Sequence, residues 1–180
     1  TPTITAVPST QTICSGNPFS FTITPCIPGA TVSWSGNNHA GSNTSIVDSI
    51  SNTGTAKDTT TYTFFATNNG CISASSTATI ITDPLPIADF NILTSPAIVG
   101  MPVNFADNSS LFGISNAQTA WTFGDGGIGI TAAETHVYST PGTYTVCLST
   151  LTADGCIDSV CKTIDVIPAE IVVPNIITPN

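Results

Sequence analysis

The sequence predicts an all-β protein built as two tandem β-sandwiches, and three observations carry that reading. Apolar residues alternate with Ser, Thr and Cys in short runs, the signature of half-buried strands. The 14 Gly and 13 Pro punctuate these runs at about ten-residue spacing. The same landmarks then recur once, about 84 residues further along the 180-residue chain.

Gly16-Asn17-Pro18-Phe19-Ser20-Phe21 returns as Gly100-Met101-Pro102-Val103-Asn104-Phe105. Thr61-Tyr62-Thr63 returns as Thr143-Tyr144-Thr145, and Asn69-Gly70-Cys71-Ile72 as Asp154-Gly155-Cys156-Ile157. Each copy carries one tryptophan, Trp34 or Trp121, expected in its core. Phe19, Phe21 and Ile23 alternate with Ser20 and Thr22, which predicts an early strand; Val103 and Phe105 predict its counterpart. Tyr144, Val146 and Leu148 alternate with Thr145, Cys147 and Ser149, predicting a strand that turns at Ala153-Asp154-Gly155 and returns over 157–166. No segment longer than ten residues keeps a helical period. The expected domains are residues 1–83 and 84–167, with Asp83-Pro84-Leu85-Pro86 as a short, stiff linker and 168–180 as a closing segment.

Composition excludes several functions. Lys57 and Lys162 are the only cations against eleven acids, for a net charge of -9. Nucleic acid is excluded because counterion release needs several Lys or Arg and bidentate base reading needs guanidinium. Docking on an anionic membrane needs basic clusters, and no apolar run approaches the roughly 18 residues of a membrane helix. Charged residues make up only 7% of the chain; its polarity comes from 19 Ser and 31 Thr, while 41% hydrophobic content permits a buried core. No secretory leader is evident, and Thr1 is expected to be a boundary inside a longer protein.

Six cysteines point to an oxidising compartment. Zinc spacing is absent, with no Cys-x-x-Cys and with His39 and His136 standing alone. A hairpin centred near Asp154 sets Cys147 opposite Cys161 on the outward face, so a Cys147–Cys161 cross-strand disulfide is expected. Cys14 precedes the first core strand and Cys71 begins the last, and a Cys14–Cys71 bond is expected to add about 4 kcal/mol by loop closure. Cys26 and Cys156 are then left, with three fates open: a bridge between the domains, a bridge between chains, or buried free thiols.

Asp125 is the residue most easily taken for a catalyst. Its flanking glycines permit positive φ and its carboxylate can cap turn amides, a structural role. The alternative is a Ca²⁺ site with Asp107 and Asn108, since hard cations seek clustered oxygens, although no EF-hand spacing is present. His136 and Tyr138 read as a structural pair near a strand start, and His39 as a solvent-loop residue. No catalytic residue and no cofactor other than that Ca²⁺ is expected, because no nucleophile or paired carboxylate accompanies the histidines.

Trp121-Thr122-Phe123-Gly124-Asp125-Gly126, His136-Val137-Tyr138 and Pro141-Gly142-Thr143-Tyr144-Thr145-Val146 together resemble a PKD domain, as does Phe105-x-Asp107-x-Ser109. The resemblance spans residues 86–167. The first copy shows Trp34-Ser35-Gly36-Asn37-Asn38 instead of the Gly-Asp-Gly turn and has no His-x-Tyr. It resembles the PKD-like or immunoglobulin-like repeats of secreted Bacteroidota proteins through Ile13-Cys14-Ser15-Gly16 and Gly70-Cys71. The implied architecture is two tandem immunoglobulin-like, PKD-type sandwiches. Val172-Val173-Pro174-Asn175-Ile176-Ile177-Thr178-Pro179-Asn180 resembles the opening of the gliding-motility-associated sorting domain of the type IX secretion system. Asp48-Ser49-Ile50, Asp58-Thr59-Thr60 and Asp158-Ser159-Val160 resemble Bacteroidota O-glycosylation acceptors, with Ser49 and Thr59 expected in loops and Ser159 beside a strand.

These readings imply a non-enzymatic segment of an extracellular cell-surface protein or fibre, acting as a semi-rigid spacer or filament unit. Its expected partners are neighbouring domains of the same long chain, with homopolymer contacts and a glycan or surface ligand as further candidates. Two other readings remain: an accessory, carbohydrate-binding module of a secreted hydrolase, and a lectin-like module acting through Asn37, Asn38 and His39.

Overall fold

The computed structural model describes residues 3–170; the Val172–Asn180 run lies outside the described residues. Two compact units emerge. Unit 1 takes the described residues up to Pro86 together with Leu111–Ser115 and Thr152–Cys156, and unit 2 takes the rest. No helix among the described residues is long and apolar enough to cross a membrane.

Unit 1 is a sandwich of β1 (Ile4–Val7), β2 (Thr10–Cys14), β3 (Pro18–Pro25), β4 (Thr31–Gly36), β5 (His39–Gly41), β6 (Ser45–Ser49), β7 (Asp58–Asn68), β8 (Cys71–Ile72) and β9 (Ser76–Asp83). One sheet is ordered β1-β3-β6; the other is ordered β2-β9-β7-β4-β5, with β8 paired to β7. The side-chain period of two explains the split between core and surface. Along β3, Phe19, Phe21 and Ile23 point inward while the intervening polar residues are exposed. From the other sheet, Tyr62, Phe64, Ala66, Ala78 and Ile80 meet them. Phe21 is fully buried, with edge-to-face contacts to Phe19, Tyr62 and Phe64 at centroid distances of 5.5, 5.6 and 6.0 Å.

Unit 2 repeats the plan with β10 (Phe90–Ile92), β11 (Ala97–Ile98), β12 (Pro102–Asp107), β13 (Asn116–Thr122), β14 (Ile128–Gly129), β15 (Ala133–Val137), β16 (Gly142–Thr152) and β17 (Ile157–Ile167). Its sheets are ordered β10-β12-β15 and β11-β17-β16-β13-β14. Trp121, Phe105, Phe90, Phe123 and Leu148 fill the core, and the Trp121 indole donates to the Thr131 carbonyl at 2.8 Å. Its counterpart Trp34 is only partly buried against the unit 1 core and donates to Asn43. In both units the second strand is an edge strand parallel to the last, β2 with β9 and β11 with β17.

The structure pairs Cys147 with Cys161, directly opposite each other on β16 and β17, with Cα atoms 4.1 Å apart. The expected Cys14–Cys71 bond is not formed. Cys14 bonds Cys156 instead, at a Cα separation of 5.5 Å, while Cys71 and Cys26 are exposed free thiols. The reason is the direction of β2. Running parallel to β9, it carries Cys14 beside Asp83, level with the start of β7. Cys71 pairs with Asn68 at the far end of β7, so ten strand residues, roughly 30 Å, separate the two cysteines. The actual bond spans 142 residues, worth about 5 kcal/mol in the loop-closure account.

At the same end of unit 1, fully buried Asp83 lies 3.2 Å from Lys57 Nζ, which also bonds Asp154 at 2.6 Å. Burial raises the Asp83 carboxyl above its ordinary value, with Lys57 opposing.

Phe21→Ala is expected to destabilise the chain by about 3–5 kcal/mol, because it leaves a cavity between two rigid sheets. Val47→Ala, at a position 73% exposed, is expected to change stability by less than about 0.5 kcal/mol. Denaturant midpoints for the two variants measure the contrast.

Candidate functional site

A polar cluster in unit 2 is built on the β13–β14 turn. Gly124 and Gly126 adopt φ of 86° and 96°, bending the chain around Asp125. Gly124 has a second reason to lack a side chain, since a Cβ there would lie 2.7 Å from the Thr145 carbonyl oxygen. Asp125 Oδ1 accepts from the Gly127 amide at 2.9 Å, and Oδ2 meets His136 Nε2 at 2.8 Å. The His136 ring stacks on Phe123 at 4.3 Å and nearly parallel, and Tyr138 meets it edge-on at 4.7 Å. The Tyr138 hydroxyl donates to the Phe123 carbonyl. A turn from one sheet is thereby latched to a strand of the other.

Burial pushes the Asp125 carboxyl up, but the His136 and Gly127 hydrogen bonds outweigh it and leave its pKa below the ordinary 3.8. Burial, with the Asp125 and Tyr144 charges, pushes the Tyr138 hydroxyl up to about 12. The arrangement is an acid–imidazole pair without a nucleophile: among the described residues no hydroxyl or thiol is hydrogen-bonded to His136. It holds the β13–β14 turn in place.

Unit 1 carries the same latch with its partners exchanged. Asp48 on β6 lies opposite Phe19, as His136 on β15 lies opposite Val103, and Phe19 and Val103 are repeat equivalents. The carboxylate therefore stands on the strand, and its partners are Asn37 on the turn, His39 at the start of β5 and Tyr62 on β7. Asn37 and Asn38 form that turn at φ of 48° and 59° between β4 and β5. Asn37 Nδ2 donates to Asp48 at 3.2 Å, His39 Nδ1 lies 3.3 Å away, and the Tyr62 hydroxyl donates at 2.5 Å. Burial raises the Asp48 carboxyl, and the bonds from Tyr62, Asn37, Ser49 and His39 together lower it below 3.8. Asp48 was legible in the sequence only as the acid of an acceptor tripeptide. Its role becomes visible once the two copies are aligned by strand pairing instead of by motif.

The other candidates are dispersed. Asp107 Oδ1 accepts from the Ser109 amide and its Oδ2 from the Thr119 hydroxyl, in a turn of its own. The level of His136 on β12 is Val103, four residues from Asp107, or about 13 Å. Asp107, Asn108 and Asp125 are thus not gathered into one cluster, and no group of three or more acidic, His or Cys ligands is found among the described residues. His39 lies in β5, not in a loop. Ser49 and Thr59 also lie in strands, on β6 and β7, instead of in the expected loops, because Pro18 pairs with Ser49 and Asp58 with Thr82. Both side chains are exposed, as is Ser159 on β17.

Two measurements check these assignments. A carboxylate with a lowered folded pKa contributes stability above its unfolded value and loses it as pH falls through the folded value. Asp125→Asn should therefore cost about 1–3 kcal/mol at neutral pH, with the gap to wild type closing in acid below the ordinary 3.8. A gap in melting temperature that persists in strong acid would remove the latch. Melting with and without EDTA is expected to give one midpoint.

A family model described as a PKD domain matches residues 84–167. Among solved structures, the chain is similar to the PKD1 domain of the Vibrio cholerae metalloprotease PrtV, at 29% identity over 46% of this chain and 98% of that one, with TM-score 0.42. It is similar to the PKD1 domain of Vibrio anguillarum Epp at 25% identity, over 48% of this chain and 99% of that one, with TM-score 0.44. Fibronectin(III)-like modules of Clostridium thermocellum CbhA match at 10% identity over 92% of this chain and 95% of theirs, with TM-score 0.45. No curated protein matches the chain. The Gly-Asp-Gly latch, the two-sheet topology and the family match agree in likening residues 84–167 to a PKD/immunoglobulin-like region.

Proposed function

We propose that the chain is a non-enzymatic spacer of an exported cell-surface protein or fibre, a semi-rigid element or filament unit whose partners are neighbouring modules of the same kind. The observation that carries this reading is the Cys14–Cys156 bond, which encloses 142 residues. Tension applied to the ends of the chain would bypass everything between those cysteines, so β3 to β16 are shielded from load while β1, β2 and β17 stay in its path. The latches support the same reading, because the residues that most resemble catalytic groups are spent on fastening turns to strands. Disulfides persist in oxidising surroundings, and with the PKD-like region they favour an extracellular location. The C-terminal resemblance to a sorting domain supports export to the surface, and the scarcity of Lys and Arg leaves trypsin-like proteases two cut sites. No cofactor is required for this role.

Single-molecule pulling from the two ends tests it. The oxidised chain should release roughly 500 Å less contour length on unfolding than the reduced chain, about 3.5 Å for each enclosed residue. Equal released lengths would sink the load-bypass mechanism. Reproducible glycan binding on an array, lost in Asn38→Ala, would replace the spacer with a ligand-binding module.

A further inference from the structure

We infer that Cys71 is half of a second disulfide of the same type, formed with a cysteine at the Cys14 position of another copy of this module placed N-terminal to it. The inference deepens the spacer reading and rests on it. Its basis is the internal repeat. Cys71 and Cys156 occupy equivalent places: each follows a turn glycine of positive φ, Gly70 at 79° or Gly155 at 89°, after an eleven-residue strand, β7 or β16. In the second copy that turn cysteine is 1% exposed and bonded. Its partner, Cys14, ends the second strand of the first copy, in the Ile13-Cys14-Ser15-Gly16 run.

Within this chain, then, a cysteine at the end of one copy's second strand bonds the turn cysteine of the copy that follows. Cys71 is the turn cysteine of the first copy, and it is exposed with a free thiol. The relation that bonds Cys156 assigns Cys71 a mate in a copy before it. The second copy supplies no such mate, because alignment of Gly16 with Gly100 sets Ile98 where Cys14 stands. Cys26 falls outside the relation, since the same alignment sets Ser110 at its place. Cys14 and Cys71 lie roughly 30 Å apart at opposite ends of unit 1, one cysteine for each neighbour.

The chemistry is thiol–disulfide exchange with a disulfide donor such as oxidised glutathione. The Cys71 thiolate attacks the donor, forming a mixed disulfide and releasing one donor thiol. The partner thiolate then attacks Cys71 Sγ and expels the second donor thiol. Two protein thiols are oxidised and one donor disulfide is reduced.

A fusion carrying a second stretch of residues 1–86 ahead of the whole chain tests the assignment. After folding in a glutathione redox buffer, non-reducing peptide mapping should show the added copy's Cys14 joined to the original Cys71, with Cys14–Cys156 retained. Cys71 should react fully with maleimide in the unfused chain and lose that reactivity in the fusion. Full maleimide labelling of Cys71 in the fusion, or a Cys26–Cys71 peptide, overturns the inference. A second arm uses the unfused chain: Cys156→Ser frees Cys14, and concentrated protein should then form Cys14–Cys71 links between molecules. Those links should vanish on adding Cys71→Ser and survive Cys26→Ser; links made through Cys26 overturn the inference. The readout is a bonded peptide, so it succeeds or fails independently of the pulling measurement.

Discussion

Each unit depends on a dry inner space between two sheets, filled by every second side chain of the strands that face it. Phe21 among Phe19, Tyr62 and Phe64 in unit 1, and Trp121 among Phe90, Phe105 and Phe123 in unit 2, leave little room for adjustment. Cores of this density transmit any displacement of a strand, so the turns at the rim must be held as firmly as the strands. This requirement explains why Asp48 and Asp125 are each held by hydrogen bonds where a turn of one sheet meets a strand of the other.

The two latches show that the requirement is geometric and indifferent to which side supplies the charge. In unit 2 the acid is on the turn and the imidazole on the strand; in unit 1 the acid is on the strand and amide, imidazole and phenol reach it. Either arrangement satisfies a half-buried carboxylate with several donors, and either lowers its pKa below the ordinary range. A motif search sees only the first arrangement, because it matches letters and not the pair of positions that must be bridged.

The cysteines follow a different logic, set by strand direction. Local pairing within a hairpin is readable from spacing, since Cys147 and Cys161 sit at equal distances from the turn that joins their strands. The partner of Cys14 is not readable in this way. Whether β2 runs parallel or antiparallel to β9 decides which end of the unit Cys14 reaches, and with it which cysteines come within the 5.5 Å Cα separation of the bond formed.

Read alone, the sequence determined the all-β class, the two copies, the inward residues of β3, β12 and β16, and the hairpin disulfide. All of these depend on periodicity and turn chemistry within a few residues, which survive without knowledge of the fold. The strand limits around Ser49 and Thr59 were less legible, because Ser and Thr serve exposed strands as readily as loops. Only the tertiary structure decided the Cys14–Cys156 bond, the role of Asp48 and the separation of Asp107 from Asp125. Each of these depends on which strands lie side by side and in which direction, a relation among residues far apart in sequence that no local pattern encodes.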